Sequence, residues 1–236
     1  MNWSLETLGI IHSCYQEKFA VPRQPGLAPS ARATLELLPP YNQPETVEGL
    51  EGFSHLWLTF VFHENLEKGW KPRVRPPRLG GNQKTGVFAT RSTFRPNGLG
   101  LSVVRLESID LNQGVKLHLS GIDLLDATPI VDIKPYLPWA DSLPTAQAAW
   151  APEPPEQLKV EFCTKARLQL EKLPENLWLE HLIKEVLAQD PRPAYQKKKH
   201  ERVYGVRLAG VNINFTYHQD GAKEKIEVLS LESLNC

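Results

Sequence analysis

Residues 54–63 read SHLWLTFVFH, and this stretch decides the fold. Large apolar side chains occupy every second position and would share one face of an extended chain: Leu56, Leu58, Phe60 and Phe62. The opposite face carries His55, Trp57, Thr59, Val61 and His63. A period of two is that of a β-strand with one buried face, whereas a helix would repeat every 3.6 residues. The stretch therefore predicts a strand whose inner face belongs to a core.

Other short segments of the first 137 residues also have the pattern of strands. They lie at 3–12, 33–38, 85–90, 101–109, 115–122 and 129–136. Turn signals rich in Gly, Asn and Pro separate them at 80–82, 96–98 and 112–114. Many short strands with few helices favour a closed or nearly closed antiparallel barrel. We therefore expect residues 1–137 to form a small antiparallel β-barrel domain.

The remainder of the chain predicts a linker and a second, smaller unit. Residues 138–156 are rich in Pro and Ala, which is typical of a linker or an extended arm. Residues 174–189 have the helical period, with Pro174 suited to the first turn and Asp190-Pro191 ending the helix. The stripe comprises Leu179, Leu182, Ile183, Val186 and Leu187. Strands are expected at 158–164, 203–217 and 226–231, with Ala209-Gly210 as a hairpin turn.

Residues 157–236 are thus expected to form an α+β C-terminal domain, and the fold class is mainly β with some α. No run of 18 apolar residues predicts a membrane span, and the N-terminus lacks the pattern of a signal peptide. The cysteines Cys14, Cys163 and Cys236 are far apart and have no metal-type spacing. We expect a reduced, cytoplasmic protein that binds neither a metal nor a membrane.

Histidines on the decisive strand do not change that expectation. His55 and His63 would lie about 26 Å apart along a strand, so they cannot share one ion. The chain also lacks a P-loop, the HExxH and GxSxG motifs, and a GxGxxG turn after a strand. A Rossmann-type methyltransferase is therefore unsupported, and function has to reside in loops on a β scaffold.

Charge is distributed unevenly although the net charge is zero. Residues 68–106 contain no Asp or Glu, while the other 18 of the 27 basic residues share the rest of the chain with all 27 acidic residues. The nine basic residues of this block are Lys68, Lys71, Arg73, Arg75, Arg78, Lys84, Arg91, Arg95 and Arg105. Such a block attracts phosphate or carboxylate groups. The alternative is that these residues pair with acids from other segments.

Rigid or glycine-rich loops could present functional side chains. In 21–26 (VPRQPG) two prolines flank Arg23, which could clamp a carboxylate or phosphate, and Gln24, which could bind an amide or a base edge. The alternative for this segment is an ordinary rigid surface loop. Arginines occur together with glycines, which let the backbone approach a ligand, in the segments 75–81, 86–92 and 95–102. Those glycines could instead only form barrel corners.

Two further loops carry acids. Asp123 and Asp126 precede a predicted strand and could hold ribose hydroxyls or offset a positive charge, or they could simply form a turn. The segment 190–195 (DPRPAY) combines an acid, an arginine and a phenol, and a basic run follows at 196–200. Tyr195 could stack on an unpaired base while the lysines contact RNA phosphates. A solvated charged loop is the alternative.

Taken together, these stretches resemble the TrmO family of tRNA methyltransferases. The similar strings are FAVPRQPG (19–26), FSHLWLTFVFH (53–63), RPPRLGG (75–81), GVFATRSTFRPN (86–97), DATPIVDIKPY (126–136) and DPRPAY (190–195). The resemblance implies a small β-barrel with a C-terminal domain, working as a homodimer with S-adenosylmethionine near the subunit interface. It also implies methylation of N6 of threonylcarbamoyladenosine at position 37, in the tRNA anticodon loop.

The resemblance further implies which residues contact the cofactor, and the residue types of the segment 190–199 suggest the other roles. Cofactor contact is expected at Pro22, Arg23, Gln24, His63, Glu64, Arg91, Leu101, Asp123, Leu124, Leu125 and Asp126. Asp190 or Tyr195 is the candidate base that removes the N6 proton, and the residues alone do not decide between them. Arg192 would receive the threonyl carboxylate, and Lys197, Lys198 and Lys199 would contact RNA.

At two positions the chain departs from the family pattern. Gly98 stands where proline is usual, and Ala127 stands where glycine is usual. Two other functions remain open at this point: a non-catalytic protein that binds S-adenosylmethionine or tRNA, and an enzyme acting on a small anionic substrate.

Overall fold

A six-stranded closed barrel forms the first part of the protein. The computed structural model describes residues 4–192, 202–221 and 223–234 of the 236-residue chain. The first strands are β1 (Gly9–Ser13), β2 (Arg32–Leu37), β3 (His55–Val61), β4 (Arg73–Val74), β5 (Thr85–Gly86), β6 (Leu99–Asp110), β7 (Lys116–Ser120) and β8 (Pro129–Pro135). The barrel order is β1-β2-β7-β6-β3-β8, with all neighbours antiparallel. The predicted fold class is confirmed.

The decisive strand β3 alternates as its sequence predicts. Leu56 and Leu58 are fully buried and Phe60 is 5% exposed, while the residues between them are half-buried. Opposite Phe60, Gly100 of β6 leaves room for the ring, because a Cβ at this position would come within 2.3 Å of it. Because the side chains of β3 alternate and Gly100 is small, the apolar residues of β3 can fill the barrel interior.

Several strand boundaries differ from the sequence prediction. Residues 4–8 are not part of a strand, and β1 begins only at Gly9. The predicted strand at 85–90 is limited to Thr85–Gly86, after which Val87–Ala89 form a 3₁₀-helix. The Thr90 hydroxyl donates to the Val87 carbonyl at 2.7 Å, so a local hydrogen bond turns the chain away from the extended path.

Short 3₁₀-helices complete the connections of the barrel. They span Pro44–Val47, Leu50–Gly52, His63–Lys68, Pro77–Leu79, Val87–Ala89 and Pro96–Gly98. Four of them lie between β3 and β6, in a long excursion that also contains the two-stranded β4–β5 sheet.

The second unit is a four-stranded sheet covered by helices. A short helix, α1 (Pro138–Asp141), precedes it at the start of the predicted linker. The elements of the second unit itself are β9 (Lys159–Phe162), α2 (Thr164–Leu170), α3 (Asn176–Ala188), β10 (Tyr204–Leu208), β11 (Val211–Asp220) and β12 (Lys223–Ser233). The sheet order is β10-β11-β12-β9, and β9 is parallel to β12. Residues 142–158, all within the described part of the chain, contain no helix or strand. This unit is the α+β C-terminal domain that the sequence predicts.

The helices of this unit follow the sequence pattern only partly. The predicted apolar stripe of α3 is buried along its whole length. Pro174 is not in its first turn, because the helix begins at Asn176 after Glu175 adopts a left-handed backbone at φ 47°. Helix α2 was not predicted, because its N-cap is Cys163 rather than one of the usual capping residues. The Cys163 Sγ accepts from the Ala166 amide at 3.4 Å.

Strand pairing gathers three connections at one end of the barrel. Ser13 pairs with Ala33, Arg32 with Ser120, and Val61 with Leu99, while the start of β8 lies beside Phe60. The β1–β2, β3–β6 and β7–β8 connections therefore all leave from the same rim. We call this end the site rim, because every residue expected to contact the cofactor belongs to these connections or to the start of β6.

The second unit is docked on the β1–β2 connection. The Glu185 carboxylate of α3 accepts from the Ser30 amide at 2.8 Å and from the Ser30 hydroxyl at 2.9 Å. The Trp178 indole donates to the Ser30 carbonyl at 2.7 Å, and the Ala209 amide donates to the Cys14 carbonyl at 2.8 Å. The segment that contains Arg23 and Gln24 is thus held by the second unit.

Both departures from the family pattern fall on left-handed backbone. Ala127 has φ 61° and Gly98 has φ 60°, beside Asn97 at φ 65°. Proline cannot adopt a positive φ, so the chain needs Gly98 in this turn. Ala127 is instead a residue with a Cβ in a region that disfavours one.

Replacing Ala127 by Gly should raise the free energy of unfolding by about 0.5–1 kcal/mol, because the strain of the Cβ exceeds the added chain entropy of glycine. Urea denaturation of the purified variant measures this change. The matched control is Ala33→Gly in β2, where the backbone φ is not positive and the same change should lower stability. A loss of stability in both variants would contradict the assignment of strain to Ala127.

Candidate active site

Two of the three connections at the site rim are joined by side chains. The Arg91 guanidinium, from the β3–β6 connection, donates to Gln24 Oε1 in the β1–β2 connection. Pro22 is buried behind them, while Arg23 and Arg91 are exposed. The predicted pair Arg23 and Gln24 is therefore presented from a proline-braced loop, and Arg91 lies against it.

Asp123 is the acid of the rim with the most perturbed ionisation. Its carboxylate accepts from the buried Ser102 hydroxyl of β6 at 2.7 Å. Burial raises the pKa of Asp123 to about 6, although the Ser102 hydrogen bond and the charge of Arg91 act in the opposite direction. The carboxylate therefore lacks enough positive partners in the protein itself, so a bound cation or hydroxyl donor would stabilise it.

The three residues after Asp123 mainly build the rim. Asp126 Oδ1 accepts from the Ser13 amide at 2.8 Å, and the Leu124 carbonyl accepts from the Ser13 hydroxyl at 2.9 Å. Leu124 as a whole is only 1% exposed, and its side chain belongs to the barrel core. The Leu125 carbonyl accepts from the Thr128 hydroxyl at 2.6 Å. Their expected cofactor contacts stay predictions.

The β3–β6 connection brings further expected contacts to the rim. His63 begins the 3₁₀-helix that directly follows β3, and Glu64 forms an ion pair with Lys18 at 3.0 Å. Leu101 is 55% exposed and points to the face of β6 opposite to that of Ser102. A ligand in contact with both Leu101 and Asp123 would therefore have to reach around the edge of the barrel wall.

The segment that follows α3 (190–195) contains the residues predicted for catalysis. Arg192 Nε donates to Asp190 Oδ1 at 2.9 Å, and Arg192 Nη2 donates to Glu224 Oε2 at 2.7 Å. The Arg192 side chain is fully buried. This geometry argues against Arg192 as the residue that receives a substrate carboxylate, because two protein carboxylates already share its guanidinium. Tyr195, Lys197, Lys198 and Lys199 lie outside the described residues.

Asp190 lies within electrostatic reach of the β1–β2 connection. Partial burial lowers the pKa of Arg23, the Asp190 carboxylate opposes this effect, and the nearby Arg78 guanidinium reinforces it. One residue before Asp190, Gln189 Nε2 donates to the Leu27 carbonyl at 3.2 Å. The barrel loop with Arg23 and the segment with Asp190 therefore face each other across the junction of the two units.

The residues that hold Asp123, Asp190 and Arg192 in place were not predicted from the sequence. Ser102 holds Asp123, and Tyr217 and Glu224 hold Asp190 and Arg192. The partners are separated by 21 to 32 residues in the chain, and nothing in their local sequence marks them. Only the strand pairing brings them together.

The basic block remains largely unneutralised. Of its nine residues, Arg105 alone has an ion pair within the described part of the chain, with Glu107 at 3.3 Å. Arg78 instead donates to the backbone carbonyl of Glu153 at 2.6 Å. The alternative that acids from other segments neutralise this block is therefore wrong for the described residues, and its positive field is available to an anionic partner.

The same described ranges lack two further kinds of feature. They contain no group of three or more His, Cys, Asp or Glu side chains arranged to hold a metal ion. No helix among them is both long enough and apolar enough to cross a membrane.

Comparison with known families decides the relationship. The family model for the tRNA-methyltransferase O N-terminal domain matches residues 10–142, and that for the TrmO C-terminal domain matches residues 155–234. The chain belongs to the TrmO family. The resemblance found in the sequence is thereby confirmed.

Individual TrmO relatives support this assignment along nearly the whole chain. The tRNA (adenine(37)-N6)-methyltransferase of Escherichia coli is 51% identical over 237 residues, which covers 98% of each chain. A human protein of the same name is 46% identical over 143 residues, covering 60% of this chain and 32% of the human one. The crystal structure of TrmO from Pseudomonas aeruginosa superposes with a TM-score of 0.82 at 46% identity and covers 99% of each chain.

Replacing Asp123 by Asn should stabilise the protein at high pH. The pKa of Asp123 is raised from 3.8 to about 6, so ionising it costs folding free energy as the pH rises through this window. Asn removes this cost, and the gain at pH 8 should be about 1–3 kcal/mol. Chemical denaturation of both proteins at pH 8 and at about pH 3 measures it.

At the lower pH the gain should disappear, because the carboxyl is then protonated in both the folded and the unfolded chain. Asp132→Asn is the control, since this carboxylate is 45% exposed beside Lys134. Its stability difference should stay within about 0.5 kcal/mol at either pH. A pH-independent effect of Asp123→Asn would contradict the burial of an ionised carboxylate at this position.

Proposed function

We propose that this protein is an S-adenosylmethionine-dependent methyltransferase that modifies N6 of threonylcarbamoyladenosine at position 37 of tRNA. Membership of the TrmO family and the name of the E. coli relative support this proposal. The structural observation that carries it is the site rim, where Arg91 meets Gln24, Ser102 holds Asp123, and Arg23 lies within electrostatic reach of Asp190. Donors, acids and a basic surface thus converge at one place.

The groups at the rim suit the proposed cofactor. S-adenosylmethionine carries two positive groups, ribose hydroxyls and a carboxylate. Asp123, whose pKa burial has raised, would be stabilised by a ribose hydroxyl or a positive group of the cofactor. Arg23 and Arg91 are exposed arginines at the same rim and suit its carboxylate.

The residues that would hold the cofactor are those expected from the family resemblance. They are Pro22, Arg23, Gln24, His63, Glu64, Arg91, Leu101, Asp123, Leu124, Leu125 and Asp126. When bound, S-adenosylmethionine supplies a methyl group already activated by the adjacent sulfonium charge. The protein's part is to hold donor and adenine in line, and such positioning contributes roughly 7–11 kcal/mol in well-oriented reactions.

Asp190 is the proposed general base. N6 of the modified adenosine is a weak nucleophile because its lone pair is delocalised, so removal of its proton assists the transfer, typically by roughly 10²–10⁴-fold. Asp190 accepts from Arg192 Nε at 2.9 Å and from the Tyr217 hydroxyl at 3.1 Å, so its carboxylate is held in a fixed place. We propose that the carboxylate held in this way accepts the N6 proton. Tyr195, the other candidate, belongs to the same DPRPAY segment.

A substrate carboxylate would be received by exposed arginines rather than by Arg192. Arg78 lies near Arg23, as its effect on the pKa of Arg23 indicates, and neither has an ion pair among the described residues. We therefore propose Arg78 for the threonyl carboxylate, beside Arg23 on the cofactor. Lys197, Lys198 and Lys199 are retained as proposed RNA contacts on the basis of the sequence.

The excursion between β3 and β6 is the proposed RNA-binding surface. It contains most of the unneutralised basic block, and its Phe88 and Trp70 side chains are 78% and 59% exposed. Exposed aromatic rings beside basic groups suit the unpaired bases and phosphates of an anticodon loop. The homodimer and the cytoplasmic location implied by the family resemblance complete the proposal, and sedimentation of the purified protein tests the dimer.

Asp190→Asn should lower methyl transfer to tRNA by roughly 10²–10⁴-fold. The assay uses a radiolabelled methyl donor with tRNA that lacks the N6-methyl group, and mass spectrometry of the nucleosides identifies the product. Asp220→Asn, at an exposed end of β11, is the control and should retain full activity. Undiminished turnover in Asp190→Asn would exclude Asp190 as the base, and cofactor binding without any transfer by the native protein would indicate a binding protein.

Phe88→Ala should weaken tRNA binding about tenfold at constant salt, because a base–aromatic stack contributes about 1–3 kcal/mol. Arg75→Gln should weaken it as well and reduce the slope of log K against log salt by about 1. Filter binding between 50 and 200 mM salt measures both. Trp139→Ala, an 84% exposed aromatic outside the excursion, should bind like the native protein. Equal losses for Phe88→Ala and Trp139→Ala would contradict the proposed surface.

A further inference from the structure

Arg192 occupies an unusual environment for an arginine that follows a helix. Its side chain is fully buried, and its guanidinium carbon lies 3.3 Å from the centre of the Tyr217 ring. Burial alone would lower the pKa of Arg192, but the carboxylates of Asp190 and Glu224 outweigh it and hold the pKa above its ordinary value. The guanidinium is therefore a permanent charge that ties the segment 190–192 to the sheet.

Tyr217 makes a second connection to the same segment. Its hydroxyl donates to Asp190 Oδ1 at 3.1 Å, while its ring lies beneath Arg192. Burial, and then the Asp190 carboxylate, raise the pKa of Tyr217, so the phenol remains protonated and a donor at physiological pH. One residue of β11 thus contacts both the acid and the arginine.

The sheet brings Tyr217 and Glu224 to one face. Tyr217 pairs with Ile226 across the β11–β12 ladder, and Glu224 lies two residues before Ile226 on the same side of β12. Neither residue belongs to the DPRPAY segment, yet Tyr217 contacts its Asp190 and Arg192, and Glu224 binds its Arg192. Asp190 itself has φ 49°, a left-handed backbone that needs support from its surroundings.

We propose that Tyr217 and Glu224 are positioning residues that fix the carboxylate of Asp190 toward the site rim. The proposal rests on the proposed function, in which Asp190 accepts the N6 proton. Gln189, adjacent to Asp190, bonds the Leu27 carbonyl of the cofactor-side loop at 3.2 Å, and the Asp190 carboxylate acts on the pKa of Arg23 in the same loop, so Asp190 is held close to the barrel. The C-terminal sheet thereby orients an acid for chemistry on the barrel.

Tyr217→Phe is the sharpest variant, because it removes one hydroxyl and keeps the ring beneath Arg192. Its kcat for tRNA methylation should fall roughly ten- to hundredfold, the usual consequence of a small misplacement of a reacting group. The Kd for S-adenosylmethionine, measured by calorimetry, should stay within about twofold. Glu224→Gln should change kcat in the same direction and provides a second variant if Tyr217→Phe folds poorly.

Tyr204→Phe is the matched control. Tyr204 packs against Tyr217 with ring centres 5.4 Å apart, and its buried hydroxyl has no hydrogen-bond partner among the described residues. Removing this hydroxyl should leave kcat unchanged. A loss of kcat in Tyr204→Phe equal to that in Tyr217→Phe would show a general packing effect and overturn the proposal.

A double-mutant comparison separates positioning from a structural role. In an Asp190→Asn background, Tyr217→Phe should cause no further loss of the residual kcat, because it acts through Asp190. Independent, multiplicative losses would overturn the proposal, as would native kcat in Tyr217→Phe. If the native protein transfers no methyl to tRNA, the proposed function fails instead.

Hydrogen exchange tests the positioning without relying on activity. The amides of Gln189, Asp190 and Arg192 should exchange at least several-fold faster in Tyr217→Phe and in Glu224→Gln than in the native protein, and at the native rate in Tyr204→Phe. Unchanged exchange in the first two variants would overturn the positioning role even if the methyl-transfer assay succeeds.

Discussion

Closure of the barrel by the β1–β8 pair is the constraint on which the site depends. The pairing is short, with Gly9 opposite Ile130 and Ile10 opposite Pro129. Gly9 is required there, since a Cβ would come within 2.6 Å of the Glu36 carbonyl. Once the ring of six antiparallel strands is closed, the β1–β2, β3–β6 and β7–β8 connections must share one rim. The site follows from this geometry rather than from any single loop.

Sequence patterns predicted the elements whose signal is local. The alternation of residues 54–63 gave β3, the apolar stripe gave α3, and proline-flanked or acidic loops marked Gln24 and Asp123. Pairings between distant residues left no such signal. Ser102 looks like any strand residue until β6 is placed beside the β7–β8 connection, and Glu224 looks like a surface acid until β12 lies under Arg192. The surroundings of Arg192 leave no local signal either, because its own segment does not reveal that a carboxylate of β12 binds it.

Several features of the site lower stability rather than increase it. Asp123 is ionised at neutral pH only against the effect of burial, and Ala127 and Asp190 hold left-handed backbone. Such costs persist when the surroundings determine the conformation or when a ligand offsets them. Here the Ser13 contacts fix the turn around Ala127, while Tyr217 and Arg192 fix Asp190. The strained positions are therefore supported by hydrogen bonds from neighbouring elements.

The second unit holds the site from two sides. The β1–β2 connection is bound by Glu185 of α3 and by Gln189, which follows the helix. The segment after α3 is bound by Tyr217 and Glu224 of the sheet. Because α3 also packs its apolar stripe into the same core, the loop bearing Arg23 and the segment bearing Asp190 share one support. A displacement of α3 would move both together and preserve their spacing. Methyl transfer demands alignment of donor and acceptor within a fraction of an ångström to about 1 Å, so a shared support meets that demand better than two loops held separately.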